Sequence, residues 1–274
     1  MRPPDAIVGW NDETNAELYD QFTRTYPLYA ASSRELAVRA DLAEKGLVVD
    51  LCGGTGITAS VLLETLPPRA RVISVDAANA MQAVGQRTHT DPRITWICSQ
   101  VETVAEHIPE PVDAVVCNSA IWKTDTPAVF AAVKQILRAG GRFVFNIGGA
   151  FAGLDRSSDQ PERTPPSLNH LINAIAVADH GYVPPRQKHV DPTLTPAIVR
   201  NQLTAAGFGC VDMDTVSYAW TVEEKRAWLS IPLFARPPGP LTHDQRMTIL
   251  QKAYDKVDKT RLINTTWLIV TAEA

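Results

Sequence analysis

The 274-residue chain has four cysteines and no C-x-x-C pair among them, which speaks against a zinc ribbon or a disulfide framework. Cys52, Cys98 and Cys117 each fall near the carboxyl end of an apolar run, a placement expected of reduced thiols in buried strands. Blocks of like charge are missing: 26 Lys and Arg stand against 30 Asp and Glu, so nothing marks an electrostatic footprint for nucleic acid or an anionic membrane surface. No apolar stretch nears the ~18 residues of a membrane span. The start, MRPPDAIVGWNDETNAE, lacks the apolar core of a signal peptide. The six histidines show neither H-x-x-x-H nor H-E-x-x-H, so no metal site is expected. There is no internal repeat and no low-complexity tract. These absences leave a soluble, cytoplasmic protein acting on a small molecule, as a monomer or homodimer, without nucleic-acid or membrane partners.

What is present is an alternation of strands and helices from Leu47 onward. LVVDL is an apolar run of strand length, Thr55 to Leu66 has helical spacing and stops at Pro67 and Pro68, and RVISVD is a second strand. Asn79 to Arg87, RITWICS, VDAVVCN, Pro127 to Arg138 and GRFVFNI carry the alternation through a fifth strand. Strands separated by helices of this length give an α/β fold, a doubly wound, Rossmann-like, mostly parallel sheet with helices on both faces. Ahead of it, residues 12–30 and 33–44 read as two helices, with Trp10, Tyr19, Phe22, Tyr26 and Tyr29 crowded into an N-terminal helical cap over 1–45. After Ile147 a stretch rich in Gly, Ser, Asp and Pro, 148–166, reads as a mobile loop before a helix from Ser167 to His180. Pro196 to Ala206 returns to helix and Cys210 to Ala219 to strand. Residues 222–260 are mostly helical around IPLFARPPGPL, and Thr265 to Ala272 closes the sheet. The main domain is therefore expected over 46–274, with helical insertions after the fifth and sixth strands, near 148–195 and 222–260, forming a substrate lid.

The stretch VVDLCGGTGITAS, residues 48–60, carries the first chemistry. Gly53, Gly54 and Gly56 permit positive φ and let a ligand approach the main chain without meeting a Cβ. Such a turn suits a dinucleotide, a phosphate or the methionine end of a nucleoside cofactor. Gly54-x-Gly56-x-x-Ala59, with Asp76 about 20 residues later, also fits the looser dinucleotide fingerprint. Asp50 discriminates among these ligands. A carboxylate inside a buried strand is costly unless backbone N–H groups or a cationic ligand pair with it, and it is unfavourable beside a pyrophosphate. An ammonium or sulfonium ligand reverses that sign.

With VVDLCGGTG, VISVDAANAM, VDAVVCNSAIW and ILRAGGRFVF in order and at ordinary separations, the sequence resembles the class I S-adenosylmethionine-dependent methyltransferases, in particular the small-molecule branch with the ubiquinone and menaquinone enzymes. The resemblance runs from Asp50 to about Asn146 and implies S-adenosyl-L-methionine as cofactor. It implies that the Gly53, Gly54, Thr55, Gly56 turn packs against the methionine part, with Asp50 supporting the amino group through water. It places the ribose hydroxyls on Asp76, the adenine against Ala77 and Met81, and the methionine end at Asn118 through its backbone carbonyl. Gln100 and Val101 stand where many members meet the adenine amine with an acid, and Tyr19 belongs to an aromatic cap over the cofactor. The family's first glycine is Cys52 here. Met81 also has the alternative reading of a core residue on a helix, and the N-terminal tyrosines that of an ordinary apolar stripe.

Methyl transfer from a sulfonium is an in-line displacement, so the protein's task is to align the nucleophile and exclude water. A base is needed only for a hydroxyl, an acidic carbon or a protonated amine. His170, His180, His189 and Tyr182 fall in the first insertion, and no catalytic residue is nominated among them. Trp122, Tyr29 and Asn146 are the substrate-side candidates, Trp122 because the loop after the fourth strand faces the crevice at the carboxyl ends of the sheet. Trp228, Leu229, Ile231, Leu233 and Phe234 could serve an acceptor pocket or a dimer interface. The expected function is methyl transfer to O, N or C of a small organic acceptor, with specialised metabolism as the expected setting. The alternatives are an NAD(P)-dependent oxidoreductase and a cofactor-binding protein without methyl transfer.

Overall fold

The computed structural model describes residues 9–154, 166–184 and 193–274. The chain divides into two units, one of Met1–Leu154, Pro192–Ser217 and Thr266–Ala274, the other of Asp155–Asp191 and Tyr218–Thr265.

The first unit begins with two helices, α1 (Glu13–Thr25) and α2 (Leu28–Ala40). Asp12 caps α1 by accepting from Asn15 N–H. The second helix starts five residues earlier than the sequence spacing suggests, directly after Pro27, and ends where Asp41 turns left-handed at φ 54°. Proline tolerates a first helical turn because it has no N–H to lose there.

The alternation follows as β1 (Leu47–Leu51), α3 (Ile57–Thr65), β2 (Arg71–Asp76), α4 (Asn79–Thr88), β3 (Ile94–Cys98), β4 (Val112–Cys117), α5 (Thr126–Ile136) and β5 (Leu137–Gly148). The short helix α6 (Gly149–Ala152) and α8 (Pro196–Ala205) lead to β6 (Val211–Thr221), and β7 (Leu262–Glu273) closes the fold; α7 belongs to the second unit and is given below. The sheet order is β3-β2-β1-β4-β5-β7-β6. β1, β2, β3, β4 and β5 are parallel, and β7 runs antiparallel to β5 with Phe145 opposite Val270. α5 stops two residues before the expected Arg138 because Leu137 is already paired with Val112. Gly140, at φ +71°, then absorbs the register shift between Val112 and Ala114.

Side-chain alternation along the buried strands sorts the core. Val48, Ala114, Val116 and Val144 face the layer of α2 and α3 with Leu36, Leu62 and Leu63. Val49, Val115, Cys117, Phe143 and Phe145 face the opposite layer with Val129, Phe130, Val133 and Leu203. Period two therefore fixes the register, since a one-residue slip would exchange the two cores. Asp50 shares the parity of Val48, which aims its carboxylate at the amino end of α3. All four cysteines are free.

The second unit contains α7 (Leu168–His180), α9 (Val222–Ser230) and α10 (His243–Lys256), joined around one apolar core with Ile172, Val222, Leu229, Ile249 and Leu250. α9 and α10 each start with a reciprocal capping box, Thr221 with Glu224 and Thr242 with Gln245. Trp228 stacks on Phe234 at 4.0 Å between centroids. The Lys225 ammonium lies 4.3 Å from the Trp228 ring centroid and 4.7 Å from that of Trp220. Burial, with the like charge of Arg236 adding to it, lowers the Lys225 pKa to about 8. Among the described residues no helix is long and apolar enough to cross a membrane.

Candidate functional site

At the carboxyl ends of β1, β2 and β4 the first unit encloses a cavity of about 830 Å³, open solvent included. Its floor is the turn after β1. Cys52 leaves that strand with φ 56°, and Ser119 leaves the neighbouring β4 with the same value. Two left-handed non-glycine residues side by side are uncommon and mark a constrained crevice.

The glycines turn out to serve the protein's own packing first. A Cβ at Gly53 would collide with Ser74 Oγ and stand 2.7 Å from Asp50 Oδ2. At Gly56, where φ is +91°, it would run into the Trp96 ring. Gly54, at φ +56°, would bring a Cβ to 3.3 Å from Met81 Cε. Gly53 and Gly54 line the cavity, whereas Gly56 packs behind it, and Thr55 is fully buried beside it.

Asp50 sits directly beneath Gly53. Its Oδ2 accepts from Ala59 N–H at 3.0 Å, in the first turn of α3, and its Oδ1 is buried without a hydrogen-bond partner. Burial pushes its pKa up to about 8; the Ala59 N–H works against that shift and the nearby Asp76 charge adds to it. Part of the pairing demanded by a buried carboxylate is thus met by the helix; Asp50 itself lies outside the cavity lining, under the Gly53 backbone, with one oxygen unpaired. Asp76 lines the cavity with both oxygens engaged, Oδ2 accepting from Gly54 N–H at 2.9 Å and Oδ1 from Ala78 N–H at 2.8 Å. These bonds fix the carboxylate against the turn.

Asn118 ties the cap to the sheet. Its Oδ1 accepts from Ser32 Oγ at 2.6 Å and from Asn146 Nδ2 at 2.9 Å, while its Nδ2 donates to Ser33 Oγ at 2.9 Å. Asn146 Oδ1 in turn accepts from Ser119 N–H, which holds that left-handed residue in place. Both amides are therefore occupied by the scaffold. Asn118 lines the cavity; Asn146 is fully buried and positions the wall without joining it.

Tyr19, Tyr29 and Trp10 close the other side, Tyr19 lying 5.5 Å from Tyr29 and 5.4 Å from Trp10 between centroids. Burial and the hydrogen-bonded Tyr29 raise the Tyr19 phenol well above its usual range. Ala77, Met81 and Val101 complete the apolar lining among the expected residues. Met81 does both jobs weighed for it, since it also packs with Ala16, Ala78 and Val84. Gln100 is exposed outside the lining, and Trp122 stacks on Phe151 at 4.9 Å in place of entering it. His170, His180 and Tyr182 lie in the second unit, and His189 falls outside the described residues.

The lining also contains residues that sequence spacing did not single out: Ile57, Thr58, Ser119 and, above all, Lys123. Lys123 ends the short helical turn Ile121–Lys123 with its ammonium 4.2 Å from the Trp10 centroid. A lysine in a loop gives no signal of its own; its environment is made by an aromatic residue more than a hundred positions away. Among the described residues, no group of three His, Cys, Asp or Glu side chains is placed to hold a metal ion.

Residues 48–141 match the family model described as a methyltransferase domain. Trans-aconitate 2-methyltransferase from Azoarcus sp. (strain BH72) is 28% identical over 176 residues, covering 62% of this chain and 62% of that protein. Malonyl-[acyl-carrier protein] O-methyltransferase from Xylella fastidiosa (strain M23) is 31% identical over 137 residues, 48% of this chain and 40% of that protein. The chain thus spans about three fifths of one curated relative's length and two fifths of the other's. Among solved structures, geranyl diphosphate C-methyltransferase from Streptomyces coelicolor A3(2), in complex with Mg2+, geranyl-S-thiolodiphosphate and S-adenosyl-L-homocysteine, is similar with a TM-score of 0.50. Its identity is 12%, and the likeness covers 89% of this chain and 75% of that one. The resemblance drawn from the four sequence pieces and the fold class both stand.

Proposed function

We propose that the protein, with a methyltransferase-type segment over 48–141, transfers a methyl group from S-adenosyl-L-methionine to a small organic acceptor. The observation that carries this reading is the Asp50 carboxylate, buried immediately beneath Gly53 with one oxygen capped by Ala59 and the other without a partner. A cofactor with an ammonium and a sulfonium supplies the positive charge that a buried, half-paired carboxylate under the cavity floor calls for. A nicotinamide dinucleotide would instead bring its pyrophosphate to the turn above the Asp50 carboxylate.

In this reading Asp76 takes the ribose hydroxyls, Ala77, Met81 and Val101 enclose the adenine, and the Asn118 backbone meets the methionine end. Tyr19, Tyr29 and Trp10 cap the cofactor and keep water from the reacting carbon. The bound cofactor supplies an activated methyl group, and the protein supplies alignment.

Calorimetric titration with S-adenosylhomocysteine tests the reading. Micromolar-range binding is expected, with net proton release near pH 7 visible as a dependence of the heat on the buffer's ionisation enthalpy, because a cation beside Asp50 favours its ionised form. No binding by folded protein, or stabilisation by NADH alone, overturns it.

A further inference from the structure

The cavity is bordered by side chains of both charge signs. On the acidic side, Asp76 in the lining accepts from two backbone N–H groups, and Asp50, buried behind Gly53, accepts from one. Opposite in sign is Lys123, whose ammonium rests 4.2 Å from the Trp10 centroid and 5.9 Å from that of Trp122. Among the described residues no carboxylate pairs with it. Indole faces hold a cation through their quadrupole but accept none of its three N–H bonds in the ordinary sense, so the donors remain for a ligand. Burial lowers the Lys123 pKa, while Asp76, Cys52 and Cys117 act in the opposite direction and favour its charge.

A second observation is independent of the first. The described lining contains no histidine and no glutamate, its one aspartate is held by the main chain, and its Tyr19 phenol is raised well above the usual range by burial and Tyr29. A hydroxyl or ammonium acceptor must hand a proton to a base during methylation. An acceptor that is already an anion needs none.

Resting on the methyltransferase reading, we infer that Lys123 binds a carboxylate of an acidic small-molecule acceptor, and that the product is a carboxylic methyl ester. A carboxylate oxygen attacks the methyl carbon, the new C–O bond forms as the C–S bond breaks, and the electron pair of that bond stays on sulfur. The negative charge of the carboxylate and the positive charge of the sulfonium disappear together, and no proton moves. Because the acceptor loses charge on the way to product, the Lys123 pairing is no stronger in the transition state than in the ground state. Its loss therefore raises KM far more than it lowers kcat.

The test offers the protein labelled S-adenosylmethionine with trans-aconitate, benzoate and octanoate, against the matching carboxamides, alcohols and amines. Methyl esters are recognised by the methanol they release in mild alkali. We expect alkali-labile methyl groups from carboxylates alone. Lys123→Met should raise KM roughly 10- to 100-fold with kcat held within about threefold, as the loss of a charge-assisted contact predicts. Lys123→Arg should restore most of the loss, and S-adenosylhomocysteine should bind both variants within about twofold of the parent, which also reports their folding. Alkali-stable product, or no transfer to any carboxylate while S-adenosylhomocysteine binds, overturns the inference. So does a variant that loses S-adenosylhomocysteine but keeps 5′-methylthioadenosine, since Lys123 would then hold the cofactor's own carboxylate. Failure of the parent protein to bind S-adenosylhomocysteine sinks the methyltransferase reading itself and is seen before any acceptor is added.

Discussion

Asp50 in the first unit and Lys225 in the second have been brought to the same place on the pH scale from opposite directions, one pushed up to about 8 and the other down to about 8. Burial is the largest cause in both, and in both a neighbour of like charge adds to it, Asp76 for the acid and Arg236 for the base. What separates them is what stands beside the charge. Asp50 has the Ala59 N–H, a directional partner for the ionised form, and an oxygen still unmatched. Lys225 has the faces of Trp220 and Trp228, which hold a cation without fixing its direction. A low-dielectric site penalises either sign, and the partner decides how firmly the charged form is oriented.

The contrast is broken most completely by disturbing the packing that dries Asp50. Gly53→Ala forces a Cβ onto Ser74 Oγ and Asp50 Oδ2, so a loss of about 3 kcal/mol or more is expected from overpacking, read as a large fall in the denaturant midpoint. Next comes Asp76→Ala. It should weaken S-adenosylhomocysteine about 10- to 100-fold in calorimetry, because the ribose acceptor and the anchor of Gly54 disappear together. Asp76→Asn, which can still accept from one of the two backbone N–H groups, should lose less.

Asp50→Asn sharpens the pH side of the comparison. The folded pKa of Asp50 lies above its unfolded value, so its contribution to stability is complete below about pH 4 and is lost as pH rises through about 8. The asparagine variant should therefore gain on the parent steadily across that window in urea unfolding. A parallel pair of stability curves would show that Asp50 is ionised throughout. Lys225→Met probes the opposite sign with a smaller effect. The folded pKa is depressed, so the parent should gain stability between about pH 8 and pH 10.5, and the variant should lack that gain.

Much of the fold was legible because its signals are local. LVVDL, RVISVD and VDAVVC are apolar runs of strand length with helices between them, and the structure places β1, β2 and β4 on those residues. Asp50 was legible as well, since a lone acid in such a run poses a pairing problem that can be seen without coordinates. Three features were not. The start of α2 depends on how Pro27 is used, as a break or as a first turn, and both agree with its sequence. Asn146 looks the same whether it faces a ligand or braces Ser119. Lys123 acquires its meaning from Trp10, and contact across such a separation leaves no periodicity to read.

The wedge formed by Trp96 has a consequence for how this chain can vary. Its ring is what a Cβ at Gly56 would strike, and a Cβ at Gly85 would lie 2.6 Å from the same ring and 2.8 Å from the Thr55 carbonyl. Three positions on a turn, a helix and a strand are therefore one inherited unit. Trimming the indole alone would not admit a side chain at either position, since a Cβ at 85 still meets the Thr55 carbonyl and position 56 keeps its φ of +91°. Reshaping the turn for another cofactor would therefore involve β3 as well, at a residue that lies outside the cavity lining.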